Sequence, residues 1–130
     1  MKTTLILFIS LMIGGFNSFD NTNAVSPEIK ANISWNETTH DFGDIEKDKA
    51  ASAVFEFENK GDSPIVITSV KASCGCTATK YTKKPVPAGK TGTINVTYNA
   101  RKAGTFRKSV RVMVQGVTES YLLIVKGTVK

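Results

Sequence analysis

Over much of this chain the apolar side chains return at every second position, and that spacing excludes a helical body. Ala53, Phe55 and Phe57 alternate with Val54, Glu56 and Glu58, and Ile65 and Ile67 with Val66 and Thr68. The phase then slips to Val70 and Ala72, which predicts a bulge. Ile94, Val96 and Tyr98 alternate with Thr93, Asn95 and Thr97. Phe106, Val110, Val112 and Val114 share one face, with Lys108 among them, against Arg107, Ser109, Arg111 and Gln115. Leu123, Val125 and Val129 end the pattern. Side chains of a strand point alternately to its two faces, so a period of two with β-branched and aromatic enrichment marks half-buried strands. No comparable stretch beyond residue 24 carries a helical stripe.

Turn-forming clusters separate the runs: Lys60 to Pro64, Pro85 to Gly89, Asn99 to Gly104 and Gly116 to Ser120. About seven short strands with a turn every 8–12 residues or so predict an all-β chain, an immunoglobulin-like Greek-key β-sandwich. A small closed barrel is the alternative. The Cys…Trp…Cys spacing of antibody domains is missing. The expected organisation is one domain over residues 25–130, with strands from about residue 39, after a polar lead-in carrying Ile33 and Trp35. One run breaks the alternation. In Tyr121 to Val125 both faces are apolar, so Leu122 and Ile124 need cover from the lead-in, from a partner, or from a second copy.

The N-terminus reads differently. Met1-Lys2 precedes nine residues, Leu5 to Ile13, of which only Ser10 is polar, and small and polar residues follow to Ala24. That is the plan of a secretory signal peptide, too short to span a bilayer. Residues 1–24 are therefore read as signal and polar spacer, with cleavage between Phe16 and Ala24. The mature chain is expected in the periplasm or outside the cell, with no membrane span.

Charge is unevenly spread. Residues 1–70 hold five Lys/Arg against ten Asp/Glu, whereas residues 71–130 hold twelve against one, Glu119. Export argues against nucleic acid as the target. An unknown protein or an anionic glycan or lipid head group of the envelope fits a basic half better. In a sandwich the halves interleave, which would set early acidic strands beside late basic ones. Arg107 and Arg111, outward on one strand and two pleats apart, are candidate partner contacts along with Leu122 and Ile124.

The only two cysteines, Cys74 and Cys76, flank Gly75. In an oxidising compartment a disulfide is expected, and Gly75 would let the backbone fold tightly through a positive φ. Closing so small a loop removes only about 1.5 kcal/mol of unfolded-state entropy. The first reading is structural, either two small buried thiols or a local bridge pinning the end of the Val66 to Ala72 strand. Such a bridge is a weak staple and, second, a candidate thiol-redox couple, with Lys71, Lys80, Lys83 and Lys84 favouring the thiolate. A copper or zinc site is the other option, with Cys74, Cys76 and His40 as ligands and Asp41 and Met113 as further donors. Otherwise no cofactor is expected. No catalytic Ser/His/Asp set is indicated, and Glu56 and Glu58 read as a solvated strand face. The sequons at Asn32, Asn36 and Asn95 read as chance matches.

Several stretches, taken in order, carry a family likeness. They are HDFGDI from His40, FEFENKGDSPIVITSVKASCGCT from Phe55, KPVPAGKTGTINVTYN from Lys84, GTFRKSVRV from Gly104 and KGTV from Lys126. Together they resemble the bacterial domain-of-unknown-function family DUF1573, with SCGCT as the most specific mark. The resemblance implies an Ig-like sandwich shaped like major-sperm-protein and ciliary Ig-like modules, exported mostly in Gram-negative envelopes. It carries over no activity and no catalytic residue. The expected function is that of a non-enzymatic binding or structural module. The alternative is thiol-redox or copper handling at Cys74-Gly75-Cys76.

Overall fold

A computed structural model describes residues 31–130; the signal peptide and spacer expected over residues 1–24 lie outside the described residues. Eight strands form two four-stranded sheets. They are β1 (Ile33–Trp35), β2 (Thr39–Ile45), β3 (Ala51–Asn59), β4 (Ile67–Ala72), β5 (Thr77–Tyr81), β6 (Thr91–Tyr98), β7 (Gly104–Val114) and β8 (Tyr121–Val129). The first sheet has the order β1-β3-β6-β5 and the second β2-β8-β7-β4. The described residues thus form the all-β sandwich that the alternation predicts.

The inward sets meet as the alternation requires. Phe55, Phe57, Ile94 and Val96 from the first sheet face Val110, Val112, Leu123 and Val125 from the second, all at most 1% exposed. A smaller cluster at one end holds Tyr98, Ala100, Phe106 and Val129, with Tyr98 stacked on Phe106 at 3.9 Å between centroids. Burying each large apolar side chain contributes about 1.5–3 kcal/mol, which is set against the chain entropy lost. The phase slip after Ile67 is a register shift in the β4–β7 ladder between Ile67 and Ser69.

Two features differ from expectation. Strand structure begins at Ile33, not near residue 39. Ile33 and Trp35 pair with Asn59 and Phe57, and the Trp35 ring packs on Phe57 and Tyr121 at 5.3 and 5.7 Å. Three residues give too few alternations to be seen as a strand. The second difference is the parallel pairing of β2 with β8, which aligns Thr39 with Ile124 and Ile45 with Val129. The ladder slips between Asp41 and Asp44, where Asp41 Oδ1 accepts the Gly43 N–H at 2.8 Å and Gly43 takes φ 66°. The HDFG stretch therefore builds the bulge that seats an edge strand.

The charges are also arranged differently. Glu56 and Glu58 sit on the outer face of the first sheet. The basic strands β7 and β8 sit in the second, bordered by Asp41 and Asp44 of β2 and by Glu119 in the loop that joins them. Chain reversal between sheets has separated much of the early acid from the late base.

Candidate functional site

The odd-numbered residues of β7 and the even-numbered residues of β8 form the outer face of the second sheet. Its rows follow from the register. Leu122 lies opposite Arg111 and Arg111 opposite Lys71; Ile124 lies opposite Ser109; Lys126 lies opposite both Arg107 and Asp41. All four candidate contact residues, Leu122, Ile124, Arg107 and Arg111, therefore come onto one surface. Leu122 is 50% exposed, and Ile124 is half-buried. The lead-in does not lie over them among the described residues. Its contribution is lateral: Thr38 accepts the Ile124 N–H at 2.8 Å, and β2 closes the side of β8. Lys71 and Lys126 belong to the same surface and were hidden in the sequence, because only strand register brings them beside the arginines.

The Cys74-Gly75-Cys76 corner joins β4 in the second sheet to β5 in the first. The two cysteines form a disulfide with Cα atoms 5.3 Å apart. Gly75 does not take the expected positive φ, and a Cβ there would meet nothing within 4 Å, so this conformation does not demand glycine. The corner is held from both sides instead. Ser73 N–H donates to Ser109 O at 2.8 Å, Asn99 N–H donates to Cys76 O at 3.0 Å, and both sulfurs lie 3.8 Å from the hydroxyl of buried Thr77. Cys74 and Cys76 are half-buried, and Cys76 packs on the Tyr98–Phe106 cluster.

The structure does not bring the proposed metal donors together. His40 and Asp41 are on β2 and the thiols follow β4, the opposite edges of one sheet with β8 and β7 between them. Three strand spacings amount to roughly 14 Å. The His40 Nδ1 instead lies 2.9 Å from Glu37 Oε1, and its ring packs edge-on against Phe42. Met113, opposite Ser69, is four residues along β7 from the Ser73–Ser109 contact. Among the described residues no group of three or more His, Cys, Asp or Glu side chains is gathered for a metal. The expected lysine field is likewise dispersed. Lys83 and Lys84 lie beyond the far end of β5, whereas Lys108, one residue past Ser109, is nearer the corner.

Sequence reasoning missed Asn59. It is 1% exposed, and its side chain donates to Ser63 O and Val86 O at 2.8 and 2.9 Å and accepts Gly61 N–H at 3.0 Å. An Asn before Lys-Gly-Asp reads as one more turn residue; only the fold shows that it ties two loops.

Two four-stranded sheets of this order, with no helix among the described residues, define an Ig-like β-sandwich. A domain titled "ASH / PapD-like domain of human CEP192" is similar over 85% of this chain and 95% of its own length, at 11% identity and TM-score 0.65. A protein of unknown function from Porphyromonas gingivalis W83 matches 83% of this chain at 14% identity and TM-score 0.65; the chain spans about half of that protein, 51%. A further match, at 10% identity and TM-score 0.60, covers 78% of this chain and 24% of the secreted serine protease VesC from Vibrio cholerae. At these identities the likeness is one of fold. The chain belongs to the family described as "Protein of unknown function (DUF1573)", whose pattern matches residues 33–129. No curated protein matches it.

Proposed function

We propose that the chain is an exported, non-enzymatic binding module of a bacterial cell envelope, and that its contact surface is the outer face of the second sheet. The observation that carries this reading is the union on one face of exposed Leu122, half-buried Ile124 and the cations Arg107 and Arg111. A contiguous apolar patch rimmed by polar groups marks a contact surface, and Leu122 with Ile124, neighbours on one face of β8, supplies its apolar centre. A basic face selects an anionic partner. Co-sedimentation of the purified protein with the envelope fraction of a bacterium that encodes it tests the reading. The double variant Leu122→Ser/Ile124→Ser is expected to lower retention at least fivefold with its melting temperature within a few degrees of the parent. Unchanged retention of that folded variant would discard this face.

A second reading, thiol–disulfide exchange at Cys74–Cys76, draws on the partial exposure of both cysteines. The Cys74→Ser/Cys76→Ser protein is expected to lose no more than about 2 kcal/mol in urea unfolding, because so short a loop constrains the unfolded chain weakly. Equilibration of the parent against glutathione buffers separates the roles. A potential above roughly −300 mV supports exchange, and one below it leaves the bridge structural.

A further inference from the structure

We infer that Lys71 and Arg111 form an oxyanion-binding site, and that its ligand is an anionic glycan lying along β7. The inference rests on the outer face being the contact surface. It goes further in naming the residues that seat the charge and the class of molecule that brings it.

Lys71 and Arg111 are directly opposite one another in the β4–β7 ladder and both are exposed. Directly opposed residues have Cβ atoms about 4.5–5.5 Å apart, and like charges so placed repel. Among the described residues neither side chain takes part in an ion pair, and the next residue in the row is Leu122. Two shallow concavities meet on this pair. One, of about 490 Å³, is completed by Thr68, Ser69 and Met113, and the other, of about 220 Å³, by Ala72, Ser73, Ser109 and Leu122. Two cations flanked by the hydroxyls of Ser69, Ser73 and Ser109 supply charge and hydrogen-bond donors for a sulfate, phosphate or carboxylate group, whereas the Thr68 hydroxyl is donated to Met113 O.

The second cationic row, Arg107 opposite Lys126, lies four residues along β7, roughly 14 Å away at strand rise. Asp41 stands beside Lys126 and partly offsets it, so the Lys71–Arg111 row is the stronger of the two. Cationic rows repeated along one strand suit a chain that repeats its anionic groups. The hollows are shallow and hydroxyl-lined, with no deep pocket to take the buried aromatic or arginine anchor on which protein partners rely. Those features favour a glycan over an acidic protein segment.

Titration of the purified chain with dextran sulfate, followed by amide chemical shifts, tests the assignment. Neutral dextran and poly-glutamate are the comparison polymers. Dextran sulfate is expected to shift amides of residues 68–73, 107–113 and 122–126, with affinity falling as salt is raised. Lys71→Gln/Arg111→Gln is expected to weaken binding tenfold or more, and Arg107→Gln/Lys126→Gln less. Arg101→Gln/Lys102→Gln, on the β6–β7 turn, is expected to stay within twofold of the parent. Equal losses in all three variants would reduce the site to unspecific charge attraction and overturn it. Tighter binding of poly-glutamate than of dextran sulfate would overturn the glycan assignment. Loss of envelope retention on Leu122→Ser/Ile124→Ser, with polymer binding unaffected by Lys71→Gln/Arg111→Gln, would sink this inference alone.

Discussion

Asn59→Ala is expected to destabilise the domain by about 3 kcal/mol, read as a lower urea midpoint at unchanged slope. Removing a buried polar group strands its partners, at roughly 1–3 kcal/mol each. Asn59 serves three of them: Gly61 N–H, Ser63 O and Val86 O. Val86 O keeps a second donor, the Ile65 N–H at 2.9 Å, so its loss is the smallest of the three. The backbone of Asn59 adds to the knot, since its N–H donates to Lys90 O and its carbonyl accepts Gly89 N–H. The side chain thus ties the Lys60–Pro64 turn to the loop entering β6, closing one end of the sandwich. In a domain of this size the loss corresponds to a melting point lower by roughly 12 °C or more. Asn59→Asp keeps the acceptor but loses both donated bonds and buries a charge, so it should be at least as damaging. Asn32, whose amide makes one exposed contact with Lys60 O, supplies the control; Asn32→Ala should cost under about 0.5 kcal/mol. A loss below about 1 kcal/mol for Asn59→Ala would mean that water takes the place of the amide at all three partners.

The parts of this molecule that could be read from sequence are those whose cause is local. Phe55 and Phe57, Ile94 and Val96, and Val110 and Val112 announce their sheet faces because pleating alone sets them. The bulge at Ile67 is visible for the same reason, as a broken phase. The parallel pairing of β2 with β8 joins residues some 85 positions apart (124 against 39) and leaves no mark in either strand. The candidate face was legible in pieces. Leu122 and Ile124 stood out because they broke an alternation, and Arg107 and Arg111 because they kept one. Lys71 could not be grouped with them, since its place opposite Arg111 is fixed by a shifted register between strands of distant sequence. For the cysteines the sequence suggested proximity, and the structure bonds them. The suggestion that Gly75 acts through positive φ failed because the chain crosses between sheets there with an ordinary φ.

The same register explains why glycine stands at 127, and substitution there is expected to free an edge strand. Gly127 lies opposite Phe106 in the β7–β8 ladder, and a Cβ would stand 2.8 Å from Gly43 O and 3.1 Å from two ring carbons of Phe106. Neither neighbour yields easily. Gly43 O belongs to the backbone of the bulge that Asp41 holds, and Phe106 is 5% exposed and stacked on Tyr98. Overpacking of this kind costs about 1–3 kcal/mol for one added carbon, so Gly127→Ala should fall in that range and Gly127→Val beyond it. β2 has a ladder on one side only, which makes it the element that gives way. Hydrogen exchange should therefore show amides of residues 39–45 losing protection at least tenfold, with those of β3 and β6 retained. Gly75→Ala, where the added carbon meets nothing within 4 Å, should leave both stability and exchange nearly unchanged. Uniform loss of protection across both sheets in Gly127→Val would place the contact in the cooperative core, and full retention in β2 would mean that the strand is docked by its outer-face neighbours instead.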